Sequence, residues 1–517
     1  NHYTYAFAGD GDLMEGVAME SASLAGHLGL EKLIVLWDDN RVTIEGSTDL
    51  AISDDIKTRF QAQGWRVLEA DGQNVGALTA VFQEAKTPCG KPTLIACRTI
   101  IGWPSPNKQN TAAAHGAPLG ADEVKASKRE LGWDPEAAFV LPEDVLESWR
   151  MCIQRGAELE SAWNTKFADY QKCHPKLAKE LERFLSGDLG QTWQAALPVF
   201  KTGDKLATRE ASGQILNAVA PHIPQLVGGS ADLASSNNTT LKGAGEFSKT
   251  EVGRNFHFGI REHAMGSILN GMSLHGGLRP FGATFLVFCD YMRPSLRLTA
   301  LMKQPITYVF THDSIGVGED GPTHQPIEQI MSMRLIPGLT VIRPADATET
   351  NAAWSAALYK KNGPVALILS RQKLPILDAL KTTGAVKGGY VLEEASGNPA
   401  LIIVATGSEV HVALKARKLL ENGGIPTRVV SLPSWEIFDA QDAAYRKSVF
   451  PADVPAISIE AGVTSGWQRY AVASVGIDHF GASAPAHVLF EKFGITADHL
   501  ADEAKRLLSA DQKRAKL

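Results

Sequence analysis

Apolar and polar positions along this chain separate strands from helices at a first reading. Tyr3-Thr4-Tyr5-Ala6-Phe7-Ala8 is almost wholly apolar and gives way to Gly9-Asp10-Gly11. An amphipathic run over residues 14–30 follows, then Leu33-Ile34-Val35-Leu36-Trp37, then Asp38-Asp39-Asn40. Strand, glycine turn, helix, strand and polar turn in that order predict a βαβ unit. Its polar residues fall at the carboxyl ends of two strands, where open parallel sheets bind ligands.

The same alternation continues. Residues 65–70 and 93–99 read as strands, and a Gly/Pro/Asn/Ala-rich loop over 102–120 is too long for a passive connector. Charged helical patterns cover 143–153, 156–172 and 175–185, and the Gly/Pro-punctuated stretch 186–207 reads as a linker. A second α/β pattern has strands at 226–228, 306–311, 340–343 and 365–370. A third begins near Gly388, with strands at 400–406, 427–432, 456–460 and 487–490 and a helix at 410–422. Three doubly wound α/β domains in series are therefore expected: 1–185 with its helical arm, 208–380, and 388–517. A chain that opens inside so apolar a strand is read as lacking the N-terminal part of its first domain.

Composition narrows the chemistry. The 517 residues are 44% hydrophobic and 21% charged, an ordinary globular balance. A net charge of −6 offers no general attraction to nucleic acid or anionic membranes, so an anionic substrate needs a local basic cluster. Five scattered cysteines without a CxxC pair argue for a reducing compartment and against a zinc or disulfide framework. No apolar run reaches membrane-spanning length, and a cytoplasmic protein is expected.

Glycines let a backbone approach a phosphate, and Asp10 with Asn40 offers hard oxygens to a small divalent cation. A carbonyl from Arg41–Gly46 would supply a third ligand, with phosphate oxygens and water completing the shell. In the second domain, Gly228–Leu233 leads into Ser235-Ser236-Asn237, and Glu262 stands where a helix start stabilises a carboxylate. Phe285, Phe288 and Tyr291 recur at helical spacing, a stripe that by itself reads as core. The richest stretch is Thr311–Gln325, with two histidines, three acids and three glycines after a buried strand. Histidine transfers protons near neutral pH, so catalysis is expected there. Arg209 and Arg371, with His312 and Ser236, would form the local anion site.

These motifs resemble those of transketolases over essentially the whole chain. Gly9-Asp10-Gly11 with Asn40 resembles the thiamine-diphosphate motif of the wider superfamily. His115-Gly116-Ala117-Pro118-Leu119-Gly120, the run His312–Gln325 and Gly228–Leu233 are more specific to transketolase. The resemblance implies a thiamine-diphosphate-binding fold for the first two domains and ketol transfer between sugar phosphates. It implies that Asp10, Asn40 and the Val42 carbonyl hold magnesium or calcium on the diphosphate, beside Gly11. Glu262 would meet the aminopyrimidine and pair with Glu15 across a subunit interface. Phe285, Phe288 and Tyr291 would pack the pyrimidine, with Asp232 near the cofactor. His115, His312 and His324 would surround the reacting carbons, Asp320 would read a hydroxyl, and Arg209, Arg371, Ser236 and His312 would bind phosphate. A homodimer with active sites at the subunit interface is implied. A dihydroxyacetone synthase, or a catalytically silent relative, would share nearly all these motifs.

Overall fold

The computed structural model describes residues 2–514, and the chain divides into two compact units, Asn1–Glu180 and Leu181–Leu517. The expected βαβ element opens the first unit. Strand Thr4–Gly9 pairs in parallel with Leu33–Asp39, from Thr4 opposite Leu33 to Gly9 opposite Asp38. The helix between them runs Gly16–Leu28, shorter than the expected 14–30. Asp12–Met14 takes a tighter 3₁₀ turn before it. Gly29 closes its far end at φ 62°, the left-handed conformation that ends many helices.

The first sheet is wholly parallel, in the order Thr4–Gly9, Leu33–Asp39, Thr93–Arg98, Arg66–Asp71. Both faces of its inner strands are covered, as parallel sheets require. Leu94 and Ala96 pack with Trp37, Phe60 and Trp65, and Ile95 and Cys97 pack with Val81 and Ala85. Register decides function here. Gly9, Asp38 and Cys97 are aligned across three strands, so Asp10, Asn40 and the 102–120 loop leave the sheet from one edge. The arm contains one helix of 31 residues, Glu143–Cys173, not the two expected at 143–153 and 156–172. Gly156 is simply tolerated inside it.

The second unit holds the other two large sheets. The stretch 186–207, expected as a linker, is packed into this unit. Trp193 is fully buried with its ring 5.2 Å from that of Tyr359, and Lys205–Ala207 pairs antiparallel with Lys373–Pro375. The six-stranded sheet is parallel throughout, in the order Thr340–Ile342, Val365–Leu369, Thr307–Thr311, Arg279–Phe285, Leu226–Ser230, Asn255–His257. The strand Arg279–Phe285 was not expected, because Pro280 and Gly282 interrupt its apolar pattern. Gly282 is needed there: a Cβ would stand 2.4 Å from Leu269 Cδ1, on the helix Glu262–His275 that crosses it.

The last sheet runs Tyr390–Glu393, Thr427–Ser431, Leu401–Ala405, Ala456–Ile459, Ala473–Val475, with only the first pair antiparallel. Residues 487–490, expected as a strand, lie in the helix Ala486–Lys492. Three apolar residues after His487 do not specify a strand, and Pro485, at the helix N-cap, precedes the run. Among the described residues no helix is long and apolar enough to cross a membrane.

Candidate active site

In the first unit the polar turn after Leu33–Asp39 is built around Asp10. Its carboxylate accepts from the Trp37 indole at 3.1 Å and from the Arg41 backbone N–H at 2.8 Å. Burial raises this carboxyl above its ordinary value, against the opposing pull of those two donors. A half-buried acid in that state is stabilised by a cation. Asn40 is buried, and its Oδ1 accepts from the Val42 N–H at 2.9 Å, which leaves that oxygen a second lone pair. Arg41 turns the chain between them at φ 60°. Among the described residues no three His, Cys, Asp or Glu side chains gather as a metal site. The expected set has one carboxylate, one amide and one carbonyl, so it fits a cation whose other ligands are phosphate and water.

Gly11 begins the 3₁₀ turn, and a Cβ there would meet open space, so the backbone is accessible to a ligand. Glu15 is the exposed N-cap of Gly16–Leu28. His115 ends the short turn Ala112–Ala114, and its Nδ1 is buried without a hydrogen-bond partner among the described residues. Its loop is tied down by Glu123, which accepts from Ser105 Oγ and from the Asn107 backbone and side-chain amides at 2.8 and 2.9 Å. Those donors, Ser105 first, hold the Glu123 carboxyl down at about 2.

In the second unit the parallel register again gathers the site. Ser230, Phe285, Thr311 and Leu369 lie at the carboxyl ends of neighbouring strands. Asp232, the Phe288–Tyr291 turn, His312 and Arg371 therefore leave from one edge. Thr208 N–H donates to Ser370 Oγ at 3.1 Å, and Ser370 N–H donates to Thr208 Oγ1 at 2.7 Å. This staple sets Arg209 beside Arg371. Arg209 also donates to the Ser236 carbonyl at 2.7 Å, and Arg371 to the Val317 carbonyl at 2.8 Å. Burial lowers the Arg209 pKa, and Arg371 lowers it further. Arg209 Nε is buried without a partner among the described residues.

The aromatic stripe is not the helix that its spacing predicted. Phe285 ends a strand, and Phe288 and Tyr291 stand on the 3₁₀ turn Leu286–Met292. The Phe285 and Phe288 rings are 5.9 Å apart and nearly parallel, and Tyr291 is 66% exposed, so the stripe ends on the surface as an open apolar face. His312 packs on Phe285 at 3.7 Å, and His324 meets the Phe288 edge at 5.5 Å. Burial first, then the charges of Arg209, Arg371 and His324, push His312 down to about 3. That shift favours the neutral imidazole near neutral pH. Glu262 is buried in the first turn of its helix. Asp232, at φ 62°, and Asp320 are exposed.

Asp313 departs from expectation. It stands in the catalytic-looking run, yet its carboxylate is buried and accepts two hydrogen bonds from Arg343, at 3.0 and 2.8 Å. Arg343 also pairs with Glu409, and Glu460 takes both arms of Arg334 at 2.8 and 2.9 Å. Two cations and three carboxylates thus form one buried cluster between the six-stranded and the last sheet. No local sequence signal announces it, because each charge looks like a surface residue until tertiary packing closes over it.

The transketolase thiamine diphosphate binding domain matches residues 1–190, the transketolase pyrimidine binding domain 204–376, and the transketolase-like C-terminal domain 388–496. A transketolase from Halalkalibacterium halodurans is 50% identical over 517 residues, covering 98% of this chain and 78% of that protein. One from Geobacillus stearothermophilus is also 50% identical, with the same coverage. The crystal structure of a Pichia stipitis transketolase complex with sedoheptulose-7-phosphate superposes with TM-score 0.95 at 42% identity, covering 99% of this chain and 77% of that one. The Leishmania mexicana transketolase superposes with TM-score 0.95 at 43% identity, covering 99% and 76%. The chain belongs to the transketolase family.

Proposed function

We propose that this chain transfers a two-carbon ketol unit from a ketose phosphate to an aldose phosphate, using thiamine diphosphate. The observation that carries this reading is the gathering of Arg209, Arg371, His312, His324 and the Phe285–Phe288 face at one sheet edge. Cations for a phosphate, imidazoles for a polar chain and an apolar plane for a ring are what such a substrate and cofactor require. The resemblance to solved sugar-phosphate complexes supports it.

Asp10, Asn40 and the Val42 carbonyl would hold magnesium or calcium on the diphosphate, with Gly11 leaving the backbone open to it. Bound thiamine diphosphate supplies the nucleophilic carbon and the electron sink. Phe285, Phe288 and Tyr291 would pack its pyrimidine, Glu262 would hold a proton at the ring and pair with Glu15 across a subunit interface, and Asp232 would lie near the cofactor. His115 and His324 hydrogen-bond the reacting carbons' oxygens, and Asp320 reads a hydroxyl. Arg209, Arg371 and the Ser236 loop bind the terminal phosphate with neutral His312. The metal and pyrimidine residues lie on different units, and a homodimer completes each site from two copies. Function in the cytoplasm fits the free cysteines.

Calorimetric titration of the chain with thiamine diphosphate and magnesium, followed by a ketol-transfer assay, tests the reading. Stoichiometric, metal-dependent binding is expected, and Asp10→Ala should abolish it. Intact metal-dependent binding in that variant would sink the assignment of the metal site.

A further inference from the structure

Behind His312 lies a short buried chain of polar groups that the reading above does not use. Thr311 Oγ1 stands 2.7 Å from Asn237 Nδ2 and 2.8 Å from His312 Nδ1. An amide nitrogen carries only donors, so Asn237 donates to the threonine oxygen. A hydroxyl has one proton and two lone pairs. Among the described residues this buried one has no hydrogen-bond partner besides Asn237 and His312, so leaving its proton unbonded would be costly and it is directed at His312 Nδ1. Nδ1 becomes an acceptor, and the proton of the neutral ring sits on Nε2.

We propose that Asn237 and Thr311 are positioning residues that fix His312 as its Nε2–H tautomer, so that it presents a donor, not an acceptor, to a phosphate oxygen. The tautomer is a property of the free protein. Its use on phosphate rests on the ketol-transfer reading.

Three observations support the relay. Asn237 and Thr311 are fully buried and His312 nearly so, which shields these bonds from bulk solvent. Asn237 is anchored at the end of the short helix Ala234–Asn237, its N–H donating to the Leu233 carbonyl at 2.8 Å. Phe285 lies flat enough on the imidazole, 3.7 Å and 32° away, to oppose a ring flip. The arrangement also has a chemical purpose. Arg209 and Arg371 already supply positive charge, and a third cation beside them is disfavoured. A neutral N–H adds a hydrogen bond without that repulsion. The opposite tautomer would turn a lone pair toward an anion that offers only acceptors.

Long-range proton–nitrogen spectra of the full chain, labelled at histidine and assigned with His312→Gln, read the tautomer directly. A pyridine-like Nδ1 and a pyrrole-like Nε2 are expected, and the reverse pattern would overturn the proposal. Asn237→Asp replaces the donor by an acceptor, so Thr311 should turn its proton to the carboxylate and His312 should switch to Nδ1–H. An unchanged pattern in the folded variant would also overturn it. Thr311→Ser should keep the original pattern. If Asn237→Asp does not fold, Thr311→Val serves: with Nδ1 freed, the ring should protonate at higher pH than in the parent chain, and an unmoved titration overturns the relay. In kinetics, Asn237→Asp should raise KM about tenfold for a phosphorylated acceptor and much less for a free sugar. A switched tautomer with equal effects on both would support the relay while overturning the phosphate role of His312.

Discussion

Arg343→Met tests whether the buried charges between the two sheets act as one unit. Arg343 is wholly buried, and its guanidinium contacts Asp313, Glu409 and the Thr406 hydroxyl, with Glu460 Oε1 3.7 Å away. Methionine fills similar volume without charge, so three carboxylates would keep only Arg334 as a cation. Removing one partner of a buried ion pair costs about 3–5 kcal/mol, because the remaining charge stays desolvated. The unit containing the cluster has roughly 340 residues. At about 2.1 cal/mol/K per residue its unfolding entropy is near 0.7 kcal/mol/K, which translates the loss into about 4–7 °C in Tm. Scanning calorimetry at pH 7 measures this. Arg343→Lys, with the charge but not the planar fork, should lose less. Adding Glu409→Gln to Arg343→Met should restore part of the loss, since one uncompensated carboxylate disappears. A parent-like Tm for Arg343→Met would refute the reasoning.

Two further outcomes are expected. Arg371→Ala should raise KM for phosphorylated acceptors about 10–100-fold, the worth of a hydrogen bond to a charged group, with little change for free sugars; steady-state kinetics with both acceptors decides, and equal effects refute the phosphate role. Burial alone would raise the Glu460 carboxyl, yet Arg334 and Arg343 hold it at about 2, below its ordinary 4.5. A depressed acid stabilises the fold above its unfolded pKa and loses that contribution as pH falls through the folded one. The expectation is about 3 kcal/mol lost between pH 4.5 and 2. Melting curves across that range should be flatter for Glu460→Gln.

The strands legible in the sequence are those whose apolar runs are uninterrupted, such as Leu33–Asp39, Thr307–Thr311 and Leu401–Ala405. Arg279–Phe285 escaped notice although it is central, because proline and glycine sit where a strand pattern should continue. Residues 487–490 misled for the opposite reason: so short a run, with three apolar residues after His487, carries no period of its own. The site followed the same division. Turn residues with unusual chemistry, Asp10, Asn40, His312, His324 and Arg371, stand out along the chain. Trp37 on Asp10, Asn237 behind His312 and Arg343 on Asp313 do not.

What the sequence by itself determined is the succession of parallel α/β units and the chemical identity of the groups at their strand ends. Periodicity and turn chemistry are local properties, and they are written in adjacent residues. The tertiary structure decided which of those groups are available for chemistry. Asp313 and His312 are neighbours in the chain, both acidic or basic and both buried, yet one is consumed by a salt bridge from Arg343 while the other lies against Phe285 with its Nδ1 held by Thr311. That difference depends on desolvation and on partners far away in sequence, and only the packed fold brings them within reach.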